Sequence, residues 1–156
     1  MKTETKIIIG GAILTILFLV GTVFLLSRGE EVNVPEDQII SRKGIHWHPR
    51  LSIYIKGEKQ EIPANFGTGT AHLPIHTHDD AKDGVLHLEM QGLVTKEETR
   101  VGKFFQLWGK DFNSNKLFDK TNGSEGTVKM SVNGQENTGF ENYLMKDGDR
   151  IEIKYE

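Results

Sequence analysis

Residues 45–55 read Ile45-His46-Trp47-His48-Pro49-Arg50-Leu51-Ser52-Ile53-Tyr54-Ile55. Ile45, Trp47, Leu51, Ile53 and Ile55 fall on one parity, and His46, His48, Arg50, Ser52 and Tyr54 on the other. A period of two is the signature of a strand with one buried face, so this stretch predicts a strand whose histidines stand opposite its apolar side. Lys56-Gly57-Glu58-Lys59 reads as a turn into a second short strand ending at Ile62-Pro63, and the two together as a hairpin.

Residues 67–83 then form a loop by composition, with Gly67, Gly69, Pro74, Asp79, Asp80 and Asp83, and they carry three of the six histidines. In residues 85–91, Leu86, Leu88 and Met90 alternate with Val85, His87 and Glu89, which again places a histidine opposite an apolar face. Val101, Phe104, Phe105 and Trp108 recur at helical spacing, with Thr95 or Thr99 as the starting cap and Gly109 as the stop. Val128, Met130 and Val132, the turn Asn133-Gly134, and Ile151, Ile153 and Tyr155 after Asp147-Gly148-Asp149 supply the closing strands. This order predicts an α+β fold, a small mixed β-sheet with one covering helix, β-grasp-like. The alternative is a cupredoxin-like β-sandwich with the helix as a surface excursion.

The chain of 156 residues, 37% hydrophobic and 26% charged, has room for one such domain. At its amino end, residues 7–26 form an uncharged apolar run that spans about 30 Å as a helix, the thickness of the hydrocarbon layer. No Ala-x-Ala step follows in Ser27-Arg28-Gly29-Glu30-Glu31, so the expectation is a permanent single-pass anchor rather than a cleaved signal. Lys2 and Lys6 before the run favour the amino terminus inside. The expected organisation is a cytoplasmic head 1–6, a transmembrane anchor 7–26, a stalk 27–43 and a domain 44–156 at the cell membrane but outside the cytoplasm.

A net charge of -3, without a Lys/Arg cluster, argues against a nucleic-acid partner. The absence of cysteine excludes disulfides, thiolate metal sites and a cysteine nucleophile, leaving histidine, carboxylate and hydroxyl groups for any chemistry. Asp111-Phe112-Asn113-Ser114-Asn115 opens like a calcium loop, but Lys116 stands at its glycine position and Asn122 at its terminal glutamate position.

All six histidines lie between positions 46 and 87. His46 and His48, and His76 and His78, are two residues apart, as are His87 and Glu89. In a strand such pairs project from the same face about 6.5 to 7 Å apart, as a metal site on a sheet requires. His46, His48, His76, His78 and His87 are therefore the candidate ligands. Glu89 and Asp79 are expected as a further ligand or as carboxylates that orient an imidazole, and Asp80 beside Asp79 could orient one in the same way. His72 lacks a partner at ligand spacing and reads as a loop residue.

His46-x-His48, Ile62-Pro63-Ala64-Asn65, Pro74-Ile75-His76-Thr77-His78-Asp79, Gly84-Val85-Leu86-His87-Leu88-Glu89, Phe104-Phe105-x-x-Trp108-Gly109 and Asp149-x-Ile151 follow one another across most of residues 44–156. In these motifs the chain resembles a poorly characterised family of prokaryotic, often membrane-anchored, extracytoplasmic domains. The resemblance implies the same five histidines as matching positions and no particular activity.

These residues lead to the expectation of a membrane-anchored protein holding Cu(II) or Zn(II) for storage, delivery or sensing. The metal ion, and the membrane through the anchor, are the expected partners. One alternative is a metalloenzyme, oxygen-using or hydrolytic, with Glu89 or Asp79 as general base. Another is an accessory domain of a membrane complex without metal.

Overall fold

The structure is a computed structural model. It describes the backbone of residues 3–26 and 33–156 and the side chains of 13–24 and 33–156. The chain divides into two compact units, Met1–Val34 and Pro35–Glu156.

The first unit holds one helix, α1 (Thr3–Leu26). The expected single-pass anchor, and the localisation at the cell membrane with the C-terminal domain outside the cytoplasm, are corrected here: among the described residues no helix is long and apolar enough to cross a membrane. Residues 1–2 of the expected head and 27–32 of the expected stalk lie outside the described residues.

The second unit is α+β. Its strands are β1 (Ile39–Ser41), β2 (Ile45–Trp47), β3 (Arg50–Ile55), β4 (Glu58–Gln60), β5 (Ile75–His76), β6 (His87–Met90) and β7 (Val94–Thr95). After the helix α2 (Val101–Trp108) come β8 (Phe112–Asn113), β9 (Lys116–Leu117), β10 (Lys120–Thr121), β11 (Val128–Val132), β12 (Gln135–Glu136) and β13 (Arg150–Tyr155). The main sheet has the order β12-β11-β13-β3-β4, with β13 parallel to β3 and antiparallel to β11. Leu51 pairs with Ile151 and Ile53 with Ile153, so the apolar parities of both strands enter one core with Val128, Met130, Val132 and Tyr155. The turns Lys56-Gly57 and Asn133-Gly134 both have positive φ at each residue, which matches the twist of the two hairpins they close.

α2 forms where its spacing predicts and buries Val101, Phe104 and Phe105 in the same core. Gly109, at φ 70, ends it in the left-handed region. Its start differs from expectation. Arg100 is the capping residue and makes no side-chain cap, while the Thr99 hydroxyl donates to the Lys96 carbonyl (3.1 Å) and Thr95 bonds Glu98 (2.9 Å). The Val101 amide is satisfied instead by the Tyr143 carbonyl at 2.9 Å.

Two features position the site. The strand expected over 45–55 is broken, because Pro49 has no N–H to give a ladder, and β2 and β3 enter different sheets on either side of it. The long loop 67–83 is also partly structured, holding β5 and the 3-10 turn Asp79–Asp83. β2, β6 and β5 make a separate three-stranded sheet with β6 in the middle. The compact unit also takes in Pro35 to Lys43, ahead of the expected start at Gly44, through the pairing of β1 with β7. Residues 111–122 form the small meander β8-β9-β10, with Lys116 paired to Asp111 at 2.7 Å.

Candidate metal centre

β6 offers His87 and Glu89 on one face and Leu88 on the other. Its neighbours match it in register: His46 stands opposite Glu89, His76 opposite His87, and Trp47 and Ile75 opposite Leu88. Directly paired residues project from the same side of a sheet, so Leu88 and Ile75 sink fully into the core while the histidines gather on the other face. His46 and His87 therefore share one face of a small sheet distinct from the main one, as parity predicts, while His48 lies just past the end of β2 with its ring against both.

The rings form a continuous series. Their centroids lie 4.7 Å apart for His46 and His48, 4.9 Å for His48 and His87, and 4.6 Å for His87 and His78. His76 is 4.9 Å from His78 and 5.5 Å from His87, and His72 is 5.0 Å from His76. Three triads, His46 with His48 and His87, His76 with His78 and His87, and His72 with His76 and Glu89, bring their donor atoms within 4.8 Å of one another. Donors around a tetrahedral ion at about 2.0 to 2.1 Å lie some 3.3 to 3.4 Å apart, so each triad needs only a modest inward movement.

His76 is the most constrained of the six. It is completely buried, and its Nδ1 lies 2.9 Å from the Leu73 carbonyl, an acceptor that requires Nδ1 to carry the proton. The lone pair then stands on Nε2, a buried atom with no hydrogen-bond partner. Burial holds the imidazole below its ordinary pKa of 6.5, against the opposing pull of the Leu73 carbonyl. Thr77 anchors the triplet: its hydroxyl donates to the Pro63 carbonyl at 2.6 Å and accepts from the Phe66 amide at 3.0 Å. Gly67, at φ 76, lets the Leu73 amide reach its carbonyl at 2.8 Å; a Cβ there would stand 3.1 Å from that of His76.

Carboxylates stand beside three of the other rings. Asp80 lies 3.1 Å from His87 Nε2, and Glu89 lies 3.0 Å from His46 Nε2. The Asp147 carboxylate accepts from the His48 amide at 2.8 Å and stands 3.9 Å from its Nδ1. Asp79, expected as a partner of the cluster, instead accepts from Asn65 at 3.0 Å and lines a cleft with Lys59, Glu61, Pro63 and Lys82 that includes no histidine.

All five expected histidines and Glu89 thus come together. Sequence reasoning missed His72, which carries no i+2 partner, and Asp147, which is 99 residues from His48. The only sequence signal for His72 was its place four residues before His76 in a loop beginning at a glycine. No family model, curated protein or solved structure matches this chain.

Proposed function

We propose that this chain is a metal-binding protein whose histidine cluster takes up a divalent transition-metal ion, Cu(II) or Zn(II), for storage, delivery or sensing. The observation that carries this reading is the buried, unpartnered Nε2 of His76. A buried acceptor without a donor is costly, and an ion is the partner for which a fixed tautomer and a neutral ring are suited. The surrounding imidazoles and carboxylates supply the remaining ligands and their orientation. Nitrogen ligands favour Cu(II) over Zn(II) in intrinsic affinity, and the lack of cysteine disfavours Cu(I).

A metalloenzyme is the second reading, favoured by the exposure of His46 and His48, whose side chains are 65% and 43% accessible. An ion there would keep an open position for water. The central strand β13, parallel to β3 of the β3-β4 hairpin on one side and antiparallel to β11 of the β11-β12 hairpin on the other, with α2 between those hairpins in the chain, supports the β-grasp-like reading over the cupredoxin-like one.

Elemental analysis of the chain, purified without metal-affinity resin, tests the proposal beside a His76→Ala/His78→Ala variant whose folding is checked by circular dichroism. Copper or zinc at one equivalent or more in the unaltered chain, and less in the folded variant, is the expected result. A chain that carries neither metal and refuses both when they are added would contradict it.

A further inference from the structure

Seven potential ligands, six histidines and Glu89, crowd one face of the β2-β6-β5 sheet, whereas a four-coordinate ion engages only four. The three triads are not equivalent in what they share. The triad of His76, His78 and His87 overlaps each of the others, but His46, His48 and His87 have no residue in common with His72, His76 and Glu89. A neutral imidazole offers one lone pair, so only sets without a shared residue can be filled together.

We propose that the cluster binds two divalent transition-metal ions at once, one on His46, His48 and His87 and the other on His72, His76 and Glu89. This rests on the metal-binding reading above and adds its stoichiometry and its division. His78, with its ring 4.9 Å from His76 and 6.0 Å from His72, supplies a fourth ligand to the second ion. The electrostatics suit two ions better than one. Asp80 on His87, Asp147 beside His48 and Glu89 next to His46 place three carboxylates along the series, close to the four positive charges of two dications. Exchange differs between the two, since the first ion rests on exposed His46 and His48, while the second engages the buried His76.

The test is equilibrium dialysis of the metal-stripped full chain against Zn(II), with bound zinc counted per chain. The expected saturation is two. A His46→Ala/His48→Ala variant and a His72→Ala/Glu89→Gln variant, altered at exposed side chains and checked for folding by circular dichroism, are each expected to retain one. Saturation at one in the unaltered chain, or two ions retained by either variant, would overturn the division while leaving the metal-binding function standing. No zinc or copper bound at all would overturn both.

Discussion

Leu73 and His76 are three residues apart, and the hydrogen bond between them decides which nitrogen of the ring is available. Because the folded pKa of His76 lies below 6.5, the unfolded chain binds a proton there before the folded chain does. The contribution to stability is fully present above pH 6.5 and is lost as the pH falls toward the lowered value. Urea unfolding of the metal-free chain should show a loss of stability below that pH, and a folded His76→Gln variant should show a smaller one; equal slopes would dispute the assignment. Asp80 acts on the neighbouring ligand, holding His87 Nε2 and leaving the lone pair to Nδ1. Asp80→Asn should weaken Zn(II) binding by roughly 10- to 100-fold without unfolding the chain, as measured by competition with a chromophoric chelator. At this scale the sequence is a good guide to ligands and a poor one to their supports. His46, His48, His76 and His78 announce themselves by a spacing of two, although β2 and β5 end before His48 and His78, whose rings join the series from just beyond the strands. His72 and Asp147 arrive through tertiary folding, which no local spacing encodes.

The elements divide along the same line between local and non-local causes. α2 was legible because Val101, Phe104, Phe105 and Trp108 repeat at its own period, and Gly109 ends it by a property of one residue. Its first turn was not, since the Val101 amide is satisfied by Tyr143, a partner distant in sequence. The stretch 45–55 keeps strand parity throughout, yet Pro49 divides it between two sheets, and parity alone does not say which sheet a strand joins. The covering helix carries much of the core, with Phe104 fully buried and its ring 6.1 Å from that of Phe66, which leads into the histidine loop. Phe104→Ala should cost about 3 to 5 kcal/mol by removing the ring and leaving a cavity. Chemical denaturation would measure it, and a loss below 1 kcal/mol would show that the helix is not a structural cover, by the same cavity scale.

For the whole molecule, the α+β class follows from the element order, whereas the expected membrane anchor is not supported, since among the described residues no helix is long and apolar enough to cross a membrane. An ion that binds only the folded unit Pro35–Glu156 must stabilise it by mass action. At a free Zn(II) concentration of 100 times Kd the gain is about 2.7 kcal/mol for one site, so the unfolding midpoint should climb with zinc and fall back on chelation. Scanning calorimetry across a zinc series would show this, and a midpoint independent of zinc would speak against a folded-state site. The decisive observation is closer to the atom: long-range proton–nitrogen NMR of the His76 ring in the metal-free and Zn(II)-saturated chain. Nδ1 should stay protonated in both states while the Nε2 resonance moves to a metal-bound position. An Nε2 resonance unchanged at saturating zinc would mean that the cluster does not use the buried lone pair of His76, which has no hydrogen-bond partner.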